Sequence, residues 1–247
     1  MRREERQHLK ANPLARIVGR WQDTIRLHAG RFVVLLVAIF VVLLGIGGYG
    51  LWGSRANDLA GEALAEALQV LRSEVVAPPT AETETNVEWV QPEGTYVSQE
   101  EKFEEALIRL QEISVLYGGS SAGVTAQYQA ASVLILLERF DEAIEQFRGV
   151  IDSAGSDLYG GMARLGLAEA CILSERYDEA IQIYEDESVS SSTTAPTEAI
   201  LMRLAYAYEL AGQKALALAT YNRVVDEFPL SVYSRDAAAK LEMLEIA

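Results

Sequence analysis

Histidine and cysteine, the side chains most versatile in proton transfer, metal ligation and nucleophilic attack, are almost absent from this chain. His8 and His28 are the two histidines among 247 residues, and Cys171 is the single cysteine. Beyond residue 31 a metal would have to be held by carboxylates with no imidazole, and a general base would have to be an acid. Carboxylates are plentiful, 36 against 21 Lys and Arg. Asp141, Glu142, Glu145, Asp178 and Glu179, however, stand at the starts of amphipathic segments, where negative charge complements a helix N-terminus and faces water. No phosphate-cradling loop, dinucleotide-binding glycine pattern or serine nucleophile elbow is present. The GIGGYG of residues 45–50 lies inside an apolar run rather than at a strand-to-helix junction. Neither catalysis nor a bound cofactor or metal is expected, and Cys171, at a mid-helix core position, reads as a small buried hydrophobe.

What remains is contact chemistry. Tyr128, Arg164, Glu169, Arg203, Tyr206 and Glu209, with Gln127 and Gln129, fall off the alanine and leucine face of three successive segments. They are the candidate partner-binding residues.

A repeat positions them. Residues 138–147 read ERFDEAIEQF and residues 175–184 read ERYDEAIQIY, an interval of 37. Ala106, Ala143, Ala180 and Ala217 keep that step, as do Leu110, Phe147, Tyr184 and Tyr221, and so do Ala131, Ala168 and Ala205. A period in the thirties, with small residues at fixed offsets on two amphipathic segments, predicts stacked helical hairpins that bury their apolar faces only against neighbours. First helices are expected over 124–137, 161–174 and 198–211, and second helices over 140–151, 177–186 and 214–227. The alanines allow close approach and the aromatic one turn later fills the space beyond. These positions, with Pro229 closing the third full unit, resemble the tetratricopeptide repeat. The fold class expected is all-α, a helix-hairpin solenoid over 98–247 whose first helices line a concave binding surface.

The first hundred residues differ. FVVLLVAIFVVLLGIGGYGLWG, residues 32–53, carries no charge over 22 positions. At 1.5 Å per residue a helix of that length is roughly 33 Å long, against a hydrocarbon core of about 30 Å. An uncleaved transmembrane anchor is expected, since a signal peptide has a shorter apolar region. Residues 1–31 hold eight basic residues against three acidic, a net of +5, which leaves −20 for the remainder of a chain whose net charge is −15. The positive-inside rule then puts the N-terminus in the cytoplasm and the repeats across the membrane, in the periplasm if the cell is Gram-negative. Within 1–31, Leu14, Ile17, Val18, Trp21 and Ile25 alternate with arginines. That segment is either an amphipathic helix on anionic lipid or a simple topogenic flank, and its basic content does not point to nucleic acid. Residues 54–76 have a helical rhythm and are expected as a stalk or as the first helix of the array. Residues 77–97, with Pro78, Pro79, Pro92 and Gly94, read as a linker, and 188–197 as a turn between repeats.

The arrangement of a short cytoplasmic start, the anchor within HAGRFVVLLVAIFVVLLGIGGYGLWGSRANDLAGEALAEAL, and an exported repeat domain resembles the YfgM-type family, ancillary subunits of the SecYEG translocon. That resemblance implies an inner-membrane scaffold whose partners are proteins: translocon subunits, periplasmic chaperones or exported clients. The closing VVDEFPLSVYSRDAAAKLEML also resembles the repeats of outer-membrane assembly lipoproteins and cell-division coordinators. An adaptor for envelope assembly or cell division is therefore the alternative. Oligomeric state is not encoded in any of these patterns.

Overall fold

The computed structural model describes residues 57–79, 89–155, 157–190 and 194–246. These all belong to the second of two compact units, Ala56–Ala247. The basic segment 1–31 and the apolar segment 32–53 lie outside the described residues, and among the described residues no helix is long and apolar enough to cross a membrane.

Nine helices follow one another among the described residues: α1 (57–72), α2 (Gln99–Leu116), α3 (Ser121–Leu136), α4 (Phe140–Ala154), α5 (Leu158–Leu173), α6 (Tyr177–Val189), α7 (Thr197–Leu210), α8 (Lys214–Glu227) and α9 (Val232–Ile246). Helices adjacent in sequence from α2 to α9 pack against each other, in the manner of stacked hairpins. The alanines at the 37-residue phase are all buried: Ala131, Ala168 and Ala205 on α3, α5 and α7, and Ala143, Ala180 and Ala217 on α4, α6 and α8. Phe147, Tyr184 and Tyr221 are buried one turn beyond them. Space is tight enough in places that only glycine fits. A Cβ on Gly166 of α5 would lie 2.6 Å from the ring of Phe147.

Each turn inside a hairpin is closed the same way. Glu138, Glu175 and Gly212 take left-handed backbone angles, φ 58°, 60° and 72°. The next residue's amide, Arg139, Arg176 or Gln213, donates back to the carbonyl of Leu134, Cys171 or Tyr208 at 2.9, 2.7 and 2.9 Å. This six-to-one bond caps the preceding helix and reverses the chain in two residues. Two glutamates accept a conformation that costs a non-glycine residue about 1–2 kcal/mol. Arg139 and Arg176 then bridge to Glu104 and Asp141 at the start of the preceding second helix, a contact repeated at the same period.

The first helices begin three residues earlier than the periodicity suggests in α3 and α5. The Oγ of Ser120 accepts the amide of Gly123 at 3.0 Å and starts α3 in what reads as a glycine-serine loop. At the other ends, α4 and α6 run three residues further than expected, α4 stopping at Gly155, whose φ is 56°.

The ends of the array are different from its middle. Helix α1 packs as the first helix of a fourth hairpin, with Ala67 in the common core and Ala60 and Val70 buried on the same face. It runs antiparallel to α2. Lys102 Nζ reaches the Ser73 carbonyl at 3.5 Å, and Arg109, held charged chiefly by its hydrogen bond to Glu105, also feels Glu66 one turn and more back along α1. The segment 73–98 replaces the two-residue turn of the other hairpins and is clipped at its base, where the Val76 amide donates to Tyr96 and the Tyr96 amide to Glu74 at 2.8 and 3.0 Å. After α8, α9 packs as a further first helix against α8 and α7. Ala237 continues the buried column of Ala126, Ala163 and Ile200. Glu242 stands where the other first helices carry alanine, and it is exposed.

Candidate functional site

The residues with contact chemistry converge on a groove of about 970 Å³ along the first helices α3, α5, α7 and α9. Geometry produces this directly. Helix α3 approaches α5 and α7 approaches α9, and the side chains one step off the alanine face point into the space these helices share. One end is aromatic. Tyr128 lies 5.8 Å from Phe147, ring to ring and edge-on at 62°, and 5.7 Å from Tyr159. Met162, Leu165 and Met202 extend the apolar wall.

The other end carries two similar polar clusters, each drawn from three consecutive helices. In the first, Arg203 on α7 pairs with Glu169 on α5 at 3.4 Å, and the hydroxyl of Tyr184 on α6 donates to Glu169 at 3.4 Å. In the second, Lys240 on α9 pairs with Glu209 on α7 at 3.1 Å, and the hydroxyl of Tyr221 on α8 donates to Glu209 at 3.1 Å. Both tyrosines and both cations keep the 37-residue period, whereas Glu209 stands three residues beyond the phase of Glu169, which Tyr206 occupies. Burial first, and then the neighbouring glutamate's charge, push both phenols well above the ordinary tyrosine value, which keeps them as donors. Lys240 Nζ also stands 5.5 Å from the centre of the Tyr206 ring.

Of the residues expected from sequence, Tyr128, Glu169, Arg203 and Tyr206 line the groove. Glu209 meets it through Lys240 and Tyr221. Arg164 is not among the lining residues; its guanidinium pairs with Glu187 at the end of α6 and donates to the Gly155 carbonyl at 3.1 Å. Gln127 lies against α4, where its amide nitrogen occupies the space that a Cβ on Gly149 would need. Sequence reasoning missed Tyr233, Asp236 and Lys240, all lining residues on α9. The signal was available, because Lys240 is Arg203 displaced by one period. Among the described residues no group of three or more His, Cys, Asp or Glu side chains is placed to hold a metal ion.

Solved structures of other repeat proteins are similar to this chain over part of its length and at low identity. The nearly identical TPR-like repeats of a kinesin light chain from Podosopora anserina, in a form with one glutamine replaced by methionine, share 17% identity over 60% of this chain and 87% of theirs, at a TM-score of 0.49. The form without that replacement gives 17%, 60%, 88% and 0.48. A MamA RS-1 double mutant gives 18% identity, 59% of this chain, 75% of its own and a TM-score of 0.48. No curated protein matches the chain. Residues 29–241 match the family described as the tetratricopeptide repeat-like domain, and the chain belongs to that family.

Proposed function

We propose that this protein is a membrane-anchored scaffold on the periplasmic side of a bacterial inner membrane, which holds segments of other proteins beside the export translocon and helps pass them to chaperones. The groove carries this reading. A tetratricopeptide-like array exposes a tyrosine- and methionine-lined channel along its first helices, open to solvent and large enough for several side chains of an extended chain. Aromatic and thioether groups suit a partner of variable sequence, because they pack without demanding one shape. The anchor rests on the uncharged run 32–53 and on the charge difference across it. The family match begins at residue 29, so that run and the repeats fall within one matched stretch. Export as the setting follows from the resemblance to the YfgM-type family.

Photo-crosslinking in living cells from positions 128, 203 and 206, with position 164 as the off-groove control, tests the reading. Translocon subunits, periplasmic chaperones or exported chains captured from the groove positions, and not from 164, are the expected products. Capture of cell-wall enzymes or outer-membrane assembly factors alone would replace this reading with the envelope adaptor.

A further inference from the structure

The groove has a charge preference that its composition hides. Its two cations, Arg203 and Lys240, are each neutralised inside the protein. Glu169 lies 3.4 Å from Arg203, and Glu209 lies 3.1 and 3.3 Å from Lys240. Each glutamate is held in place by a buried tyrosine hydroxyl. An acidic ligand approaching either cation therefore meets the repulsion of the carboxylate already beside it.

Asp236 is in the opposite situation. It lines the same groove from α9, is exposed, and has no ion pair or hydrogen bond among the described residues. Among the described lining residues the groove thus offers one uncommitted charge, a negative one, in a wall that also holds Tyr206 and Tyr233. Tyrosine faces attract cations as well, and Lys240 already uses the Tyr206 ring in this way. The wider field has the same sign, since residues 32–247 sum to −20.

Resting on the groove reading above, we propose that the occupant is an extended, apolar and aromatic polypeptide segment carrying a basic side chain, with the base seated at Asp236 and the apolar residues against Tyr128, Met162 and Met202. Acidic segments of the same apolar content are disfavoured.

Fluorescence anisotropy with the purified full-length chain tests this with two labelled peptides of identical leucine and tyrosine content, one bearing lysines and one bearing glutamates. The lysine peptide binds more tightly, by about two- to fivefold for a single solvent-facing pair, and the margin shrinks as salt rises. Asp236→Asn removes most of the margin and Asp236→Lys inverts it. Both variants melt with the parent because the side chain is exposed. Binding of neither peptide would remove the groove reading itself. Equal binding, or tighter binding of the glutamate peptide, would remove only the charge preference. A chain dimer that the peptide dissociates would make a second copy the occupant and overturn the proposal.

Discussion

At the scale of single residues, the repeat places ionisable groups where their neutral form is favoured. Burial pushes the Cys171 thiol from 9.0 up to about 12, with Glu179 adding to the shift. Burial and the hydrogen bond to Glu185 push Tyr208 from 10.0 up to about 12. Tyr184 and Tyr221 are raised further, by burial and then by the glutamates beside them. An acid whose folded value lies above its unfolded value gives stability that is complete below the unfolded value and is lost as pH rises toward the folded one. Stability is therefore expected to be flat up to about pH 9 and to fall through pH 12, where the unfolded chain has already released these protons. Melting temperatures across that range, read beside tyrosinate absorbance, check it. Ionisation of all eleven tyrosines near pH 10 while the chain is still folded would contradict it. Cys171 is legible in the sequence as a buried hydrophobe because its position is set by the repeat. The donor roles of Tyr184 and Tyr221 are not legible, since the period shows that a ring is buried but not where its hydroxyl ends.

At the scale of elements, one repeat departs from the others. The buried column formed by Ile113, Val150 and Val224 at the ends of the second helices holds Glu187 in α6. Its side chain is 4% exposed and is compensated by Arg164, 24% exposed, while Oε2 of the carboxylate has no partner. Helix α6 is also the shortest second helix, at 13 residues, and the stretch 190–196 that follows is longer than the other joins between units. Removing one partner of a buried pair leaves a desolvated charge and costs about 3–5 kcal/mol, whereas replacing both by apolar residues is often neutral or stabilising. Arg164→Ala is therefore expected to destabilise the chain strongly, and Arg164→Met with Glu187→Val to restore or exceed parental stability. Urea unfolding decides between this and a Glu187 that simply swings into water, for which Arg164→Ala would change little. The periodicity makes the hairpins legible and hides this exception. The expected helix over 177–186 stops short of position 187, and the spacing puts position 164 off the alanine face without revealing that the two side chains meet. Helix α1 is ambiguous in the sequence for a related reason: the insertion 73–98 separates it from α2 by far more than a hairpin turn, and the backbone clip at Tyr96, with the packing of Ala67 in the core, returns it to the array.

At the scale of the whole molecule, stability and placement are separate problems solved by separate parts of the chain. A solenoid is held by contacts between neighbours rather than by cross-links; Cys171, the single cysteine of the sequence, is buried. In the anchored topology proposed above, placement rests on charge. Residues 1–31 carry a net of +5 and the remainder −20, separated by 22 residues without a charge. Short basic flanks are retained on the cytoplasmic side, while acidic residues on long exported domains contribute little to orientation. The orienting force is thus expected to reside in Arg16, Arg20, Arg26 and Arg31 near the apolar run, not in the acidity of the repeats. Protease added to intact spheroplasts should degrade the repeats and spare the N-terminus. Neutralising those four arginines should produce a fraction in which the repeats are protected. Neutralising an equal number of exposed acids on the second helices, Glu142 and Glu145 among them, should leave the orientation as it was. Repeats that are protected in the unaltered chain would place the groove in the cytoplasm and remove exported clients and periplasmic chaperones as its partners, while leaving the fold, the groove and its preference for basic segments untouched.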